Sequence, residues 1–165
     1  MGRWQVKGRA TAGERHNAMK RIVAAIDDAE SSLQVASLAA ELAVGLAAEL
    51  ILVTVGRAID GAQPELERYR FEEHIEDSLA ALTVEEAHHR LRALQARLSD
   101  KADVPITCEV LVGKVADQLV SYAKQHAVDL IAIGHRSRGR LAGLLIGSVA
   151  KDVIDSAPCP VLVVR

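Results

Sequence analysis

The residues best suited to chemistry lie in one segment near the end of the chain, from Gly134 to Ser148. Glycine lets the backbone approach a ligand closely, and this segment has glycines at positions 134, 139 and 147. Gly147 and Ser148 open a predicted helix, whose free N–H groups and dipole favour an anion. Ser148 adds a hydroxyl donor, and alternate residues add positive charge: Arg136, Arg138 and Arg140. The segment therefore has the chemistry of a phosphate-binding loop.

The same pattern has a purely structural interpretation. Glycine-rich turns from strand to helix are common in α/β folds that bind no ligand, and alternate arginines in a loop are usually solvated. Spacing alone leaves both interpretations open. The chain contains neither G-x-x-x-x-G-K-[ST] nor G-x-G-x-x-G. The first absence excludes a P-loop NTPase, and the second leaves a dinucleotide-binding fold unsupported.

The elements that must position this segment are short apolar runs separated by helical patterns. Runs of this length without polar alternation are typical of buried parallel strands. We predict strands over residues 21–27, 50–55, 105–113, 129–134 and 160–165, of which residues 105–113 are predicted from the alternation typical of a strand. Helical patterns cover residues 33–49, 65–98, 115–127 and 147–157, the second with a break near residues 80–84. This order predicts an α/β fold with a single doubly wound, mostly parallel, five-stranded sheet.

Three predicted strands end in residues that face the same edge of such a sheet. Ligands of open parallel sheets bind beyond the carboxyl ends of the strands, at the point where the strand order reverses. The first strand delivers Asp27 to that edge, the second delivers Val55 and the fourth delivers Gly134. We therefore expect these residues to lie close together.

Composition limits the classes of function. A chain of 165 residues, half of them hydrophobic, suits one domain with a sizeable core. The net charge of -2 gives no sign of nucleic-acid binding, and no run approaches the ~18 apolar residues of a membrane helix. Cys108 and Cys159 form no C-x-x-C pair, which suits reduced thiols in a cytoplasmic protein. Residues 1–18 are polar, and we expect a flexible leader before a domain over 19–165.

No catalytic group of residues follows from the spacing. The chain offers no nucleophile, base and acid that sequence alone would bring together. His135 is the one candidate general acid or base in the loop, with a ribose-facing or solvent-facing residue as the alternative. His88 and His89 are adjacent on a helix, so they point in different directions and share a metal poorly. We predict no metal site.

The stretch IGHRSRGRLAGLLIGSVAKDVIDSAPCPVLVVR closely resembles the C-terminal signature of universal stress proteins. The ATP-binding branch of that family has G-x-x-G, nine residues, and then G-[ST]. Here Gly134, Ser137, nine further residues, and then Gly147 and Ser148 have the same spacing. RIVAAIDDAESS resembles the opening strand of the family with its acidic residue, here Asp27. LILVTV is similar to the second strand, so the resemblance spans residues 20–165.

The resemblance implies an adenine nucleotide, ATP or else AMP or ADP, at the carboxyl ends of the strands. Ala25 and Asp27 would border the adenosine, and Val55 would contact the adenine through its backbone. Ile133 and Gly134 would lie under the ribose and α-phosphate. The family resemblance also implies a role as a sensor or regulator in the stress response, with at most slow ATP hydrolysis.

At the phosphate end, the resemblance implies two groups of residues. One group would wrap the phosphates: His135, Arg136, Ser137, Arg138 and Gly139. The other would hold them at a helix N-terminus: Gly147, Ser148 and Val149. A divalent ion such as Mg²⁺ would bridge the phosphates, and no protein ligand for it is evident in the sequence.

The chain departs from the family pattern at two places. Ser137 replaces the second glycine, and a non-glycine residue in a left-handed backbone costs about 1–2 kcal/mol. That cost would weaken binding by roughly five- to thirtyfold. With a negative φ, serine costs little and its hydroxyl would donate to a phosphate. Asp28 and Ala29 replace the usual Gly-Ser after Asp27, which adds negative charge near the expected site.

Two further hypotheses remain beside the nucleotide sensor. Some members of the family lack the loop motif and function as dimers, and the apolar run PVLVV resembles the strand that pairs with a twofold partner in that family. The alternative for this run is simple burial as an edge strand. We expect a homodimer through residues 160–165, which also protects an apolar edge. An enzyme of the related adenine nucleotide α-hydrolase-like group ranks last, because residues 27–29 do not resemble the loop signature of that group.

Overall fold

The computed structural model describes residues 19–27, 31–56, 84–135 and 146–165. Within these ranges the strands are β1 (Arg21–Ala25), β2 (Glu49–Gly56), β3 (Ile106–Val112), β4 (Leu130–Gly134) and β5 (Val161–Val164). The helices are α1 (Ser31–Leu46), α2 (Val84–Ser99), α3 (Val115–Gln125) and α4 (Ser148–Ser156). The predicted leader over 1–18, the first part of the predicted helix over 65–83 and the loop over 136–145 lie outside the described residues.

The five strands form one sheet in the order β3-β2-β1-β4-β5. Every strand pair in it is parallel. After β1 the chain crosses to β2 on one side, and β4 later pairs with β1 on its other side. The strand order therefore reverses between β1 and β4, which places the expected ligand crevice there. The predicted α/β fold with a doubly wound parallel sheet is confirmed.

Each face of the sheet is covered by a pair of helices. In β1, Ile22 and Ala24 point to the face covered by α1 and α2, whereas Val23 points to the face covered by α3 and α4. Such alternation follows from the two-residue period of a strand. Burial on both faces explains why the central strands read as unbroken apolar runs. We call the cluster under α3 and α4 the second core.

Small residues let α1 lie close to the sheet. Ala36, Ala39 and Ala43 are fully buried against the first face, and Val35 is 1 % exposed. Alanine also has the highest helix propensity, so one residue type favours both the helix and its close packing. As a result, α1 holds a fixed position over β1.

Four predicted boundaries were wrong by two or three residues. Two of them are the start of α1, at Ser31 rather than residue 33, and the end of α3, at Gln125 rather than residue 127. The first helix was expected to reach Glu49 but ends at Leu46, because Ala47 has a left-handed backbone with φ of 51°. The first strand was expected to reach Asp27 but ends at Ala25. Ile26 still donates its N–H to the carbonyl of Val53 at 2.7 Å, so the chain leaves the sheet only after that bond. None of the described helices is both long and apolar enough to cross a bilayer.

Candidate functional site

A notch at the carboxyl edge of the sheet lies beyond the end of β1. Ala25, its last residue, pairs with Val53, while β2 continues for three more residues to Gly56. Three extended residues span about 10 Å. On the other side Ala24 pairs with Ala132, so β4 extends to Gly134 past the level of Ala25. The short central strand thus leaves a gap between two longer neighbours.

Four predicted site residues share one face of the sheet at this notch. Ile133 is a buried member of the second core, and the partly buried side chains packed against that core include Ala25, Val55 and Val149. They come from three strands and one helix that are far apart in sequence. Ala25 and Val55 are partly exposed, next to the buried Ile133, and they give the notch an apolar floor that suits the flat face of a heterocyclic base.

Asp27 lies at the mouth of the notch and is tied to the start of α1. Its backbone N–H donates to Ser32 Oγ at 2.9 Å, and Ser32 Oγ donates in turn to Asp27 Oδ1 at 2.5 Å. Asp27 is exposed, whereas Ser32 is 6 % exposed. The pairing of Ser32 with Asp27 was not predicted from the sequence. A serine five residues after a strand-end aspartate was the available signal.

The phosphate-loop segment is closed at its base by backbone hydrogen bonds. His135 donates its N–H to the carbonyl of Val164 at 2.8 Å, which extends the pairing of β4 with β5. Gly147 donates its N–H to the carbonyl of His135 at 2.9 Å. This second bond brings the N-terminus of α4 directly beyond the end of β4, although twelve positions separate the two residues.

The first turn of α4 presents donors without a side-chain cap. Gly147 is the N-cap residue, with φ of -59°, and makes no side-chain cap hydrogen bond. The first N–H groups of an α-helix have no acceptor within the helix, and they carry its positive dipole end. The residues of this turn, Ser148, Val149 and Ala150, include no acidic side chain to neutralise that end. Ser148 is exposed, so its hydroxyl is available to a ligand.

A second glycine contact fixes the far wall of the notch. Gly113, which follows β3, donates its N–H to the carbonyl of Gly56 at 3.0 Å. Its φ of 138° is a backbone conformation that L side chains rarely adopt, so glycine is required here. A Cβ at this position would lie 3.0 Å from Gln118 Nε2. The contact holds the end of β2, where Val55 lies, against β3.

The predicted site residues that the structure describes lie at one edge of the sheet: Ala25, Asp27, Val55, Ile133, Gly134, His135, Gly147, Ser148 and Val149. The other four predicted residues lie outside the described residues: Arg136, Ser137, Arg138 and Gly139. The backbone conformation at position 137, on which the effect of serine depends, lies outside them as well.

The described residues contain no arrangement typical of a catalytic or metal centre. No group of three or more His, Cys, Asp or Glu side chains among them is placed to hold a metal ion. His135 is half-buried and uses both its backbone N–H and its carbonyl in the closure of the loop. In this part of the chain, His135 therefore contributes to the structure through its backbone N–H and carbonyl groups.

The two thiols lie outside the notch and are poor nucleophiles. Burial raises the pKa of Cys108, with Glu109 adding to the effect and Arg92 opposing it. Burial also raises the pKa of Cys159, with Asp129 adding to the effect and a backbone hydrogen bond from Ile131 opposing it. The thiolate is the reactive form, so neither environment activates cysteine.

A comparison with protein-family models matches residues 19–165 to the universal stress protein family. The chain belongs to this family. The match begins at the residue where the described structure begins and covers all five strands. It confirms the resemblance that the loop spacing and the first strand indicated.

Among curated relatives, this universal stress protein is 30 % identical over 156 residues to the universal stress protein MJ0531 of Methanocaldococcus jannaschii. That alignment covers 90 % of this chain and 84 % of the relative. The similarity therefore extends over nearly the whole of both proteins.

Two solved structures of the family contain adenine nucleotides. One is a universal stress protein in complex with cAMP, with a TM-score of 0.66, 25 % identity, and coverage of 90 % of this chain and 98 % of that one. The other is the universal stress protein of Archaeoglobus fulgidus in complex with dAMP, with a TM-score of 0.61, 24 % identity, and coverage of 90 % and 99 %. At 24 % identity, the similarity to the Archaeoglobus fulgidus structure shows a shared fold.

Proposed function

We propose that this universal stress protein binds an adenine nucleotide, ATP foremost, in the notch beyond β1. The observation that carries the proposal is the bond from Gly147 N–H to the His135 carbonyl. It sets the positive end of α4 beside the carboxyl end of β4, where a phosphate would accept free N–H donors. The apolar floor formed by Ala25, Val55 and Ile133 supports a base on one side of that phosphate.

The proposed orientation follows from the two ends of the notch. Adenine would lie near Val55, where β2 extends beyond its last residue pair with β1 and its backbone groups offer donors and acceptors. Asp27 would border the adenosine. Ile133 and Gly134 would lie under the ribose and α-phosphate. Gly147, Ser148 and Val149 would hold the phosphate chain, with residues 135–139 wrapped around it.

The complexes of the related proteins support an adenine nucleotide as the class of ligand, but they give less support for the three phosphates of ATP. The ligands named in the two complexes, cAMP and dAMP, have adenine and a single phosphate in common. ATP, ADP and AMP would share those contacts in this chain, and Mg²⁺ would bridge the phosphates of ATP. The described residues contain no group of three or more side chains placed to hold a metal ion.

The proposed biological role is that of a sensor or regulator in the stress response, in the cytoplasm. Binding, exchange or slow hydrolysis of ATP would change the state that partners recognise. We assign no catalytic residue, because the notch offers donors for phosphate but no described side chain placed to activate water.

The first experiment is to purify the protein without added nucleotide, denature it, and separate the supernatant by ion exchange against adenine nucleotide standards. Near-stoichiometric ATP supports the proposal and means that Ser137 is tolerated. Absence of ATP, together with no binding of added ATP at millimolar concentration, contradicts it.

A charge placed at each end of α4 tests the phosphate end specifically. In S148D the new carboxylate takes the place of the phosphate, so ATP affinity should fall about tenfold or more. The same charge should raise stability by about 0.3–1 kcal/mol, because it neutralises the positive end of the helix. In the control S156D the charge lies at the opposite end, so stability should fall slightly and ATP affinity should be unchanged. Equal affinity of S148D and the original protein would refute the assignment.

The second candidate function is a nucleotide-free homodimeric interaction module, which the edge strand β5 favours. Val161–Val164 are all half-buried in the single chain. Ile131 donates its N–H to the carbonyl of Pro160 at 3.1 Å, and His135 donates to Val164. The even-numbered residues of β5 thus bond to β4, and in a parallel pair the odd-numbered residues direct their N–H and carbonyl groups outward.

Sedimentation at micromolar concentration tests this second candidate. We expect a dimer for the original protein, formed through residues 160–165. V163P removes one outward N–H donor, so the dimer should dissociate more readily, without loss of a bond to β4. A monomer at micromolar concentration for the original protein would contradict the homodimer in both candidate functions.

A further inference from the structure

Ser32 is the buried polar side chain within the described part of the chain, at 6 % exposed. A buried hydroxyl must satisfy its hydrogen bonds within the protein, since an unpaired one is costly. Among the described residues, Ser32 meets this need through Asp27: its Oγ accepts from the N–H of Asp27 at 2.9 Å and donates to Oδ1 of the same residue. One oxygen atom therefore contacts both the main chain and the side chain of Asp27.

The two contacts connect Asp27 to the core. Ser32 is the second residue of α1, and the next turns of that helix bury Val35, Ala36 and Ala39 at 1 % exposed or less. Asp27 itself is exposed and lies two residues beyond the end of β1. An exposed carboxylate normally samples several rotamers, whereas a bond to a buried hydroxyl favours one of them.

We propose that Ser32 is a positioning residue for the nucleotide site, holding Asp27 in one orientation at the adenosine end of the notch. This inference rests on the proposed function. A ligand that contacts Asp27 then meets an acceptor that is already ordered, and the ordering cost is removed from binding. The effect belongs to the adenosine half of the ligand, so ATP and AMP should depend on Ser32 to the same degree.

The test is a calorimetric titration of ATP and of AMP into the full chain and its variants. S32A should weaken the affinity for both nucleotides by about three- to tenfold. S32T retains the hydroxyl and should restore most of that loss. S32C retains a side chain of the same shape, but its larger sulfur forms only weak hydrogen bonds, so it should also weaken the affinity for both nucleotides. A double-mutant cycle with D27A should be non-additive, because Ser32 acts through Asp27.

A control separates positioning from a general loss of stability. A43G lies eleven residues further along α1, about 16 Å from Ser32, and weakens the same helix without contact to Asp27. Its nucleotide affinity should equal that of the original protein at a temperature where both are folded.

The outcomes distinguish the inference from the function on which it rests. If the original protein binds neither ATP nor AMP, the proposed function fails and the role of Ser32 fails with it. If the original protein binds and S32A and S32C bind equally well, the inference alone is overturned. Equal losses in S32A and A43G, or additive losses in S32A and D27A, would make Ser32 merely structural. A loss in S32A and S32C that S32T reverses supports the inference.

Discussion

The ends of α1 and α3 permit a direct test of the backbone geometry, because each is followed by an alanine with a positive φ. Ala47 has φ of 51° and Ala127 has φ of 48°. Ala48 donates its N–H to Ala43, and Val128 donates to Ala123, both across a six-residue turn. This bond defines a Schellman motif, whose left-handed position is most often glycine.

Replacing either alanine by glycine should therefore stabilise the protein. An L residue in the left-handed region costs about 1–2 kcal/mol, which glycine avoids. Glycine loses about 0.5–1 kcal/mol more conformational entropy than alanine on folding. The difference leaves a net gain of about 0.5–1 kcal/mol for each of A47G and A127G. The two helices cover opposite faces of the sheet, so the gains should add.

Urea denaturation of the single and double variants measures these gains, and thermal melting should show about 2–4 °C per kcal/mol. A96G is the matched control, because Ala96 is exposed like Ala47 and Ala127 but lies within α2, where glycine costs about 1 kcal/mol. The same substitution should thus have opposite signs at the helix end and in the helix interior. Destabilisation of A47G by as much as A96G would refute the reasoning.

Three further predictions concern single contacts. G113A should destabilise by about 1–2 kcal/mol in urea denaturation, since alanine is strained at φ of 138° and its Cβ would displace Gln118; an unchanged midpoint would contradict the assigned backbone. D129A should destabilise by about 1–2 kcal/mol, because Asp129 Oδ2 accepts two backbone N–H groups at the start of β1, at 2.7 and 3.0 Å; stability equal to the original protein would refute that clamp. Burial raises the pKa of Cys108 and Cys159, so alkylation at neutral pH should be slower than for an unperturbed thiol. As pH rises, the unfolded chain loses the thiol protons before the folded protein does. The stability that the protonated thiols contribute is therefore complete below the ordinary thiol pKa and is lost as pH rises through the raised pKa of the folded protein, which urea titrations at alkaline pH would show.

The fold could be predicted from the sequence because its central strands are buried on both faces. Such strands read as apolar runs without alternation, and the runs around Val23, Ile51 and Ile131 have that form. The strand ends were harder to predict. The run to Asp27 is continuous in composition, yet β1 ends at Ala25 and the chain leaves the sheet after the hydrogen bond of Ile26, because tertiary pairing rather than residue type sets this boundary. The helix end at Leu46 depends on a left-handed alanine, which no propensity favours.

The edge of the sheet that forms the candidate site could also be predicted, because strand ends converge in any parallel sheet. Asp27, Val55 and Gly134 follow from that rule, together with the loop spacing. Ser32 could not be found this way. Ser32 is important because it forms two hydrogen bonds with Asp27, five residues earlier, and because it is only 6 % exposed. Both depend on the docking of α1, which is set by alanines further along the helix.

The two edges of the sheet receive opposite ends of the helices, and this separates stability from binding. Every crossover helix of a parallel sheet directs its N-terminus to the carboxyl edge, which is the edge that contains the notch. The amino edge receives the C-terminal ends, and there Arg21 donates from Nη1 to the His126 carbonyl at 2.6 Å. The left-handed alanines and the Asp129 clamp also lie at that amino edge. A strand of five residues separates the two edges by about 16 Å. Changes at the amino edge should therefore alter unfolding while leaving nucleotide affinity intact, whereas S148D should weaken binding in a more stable protein.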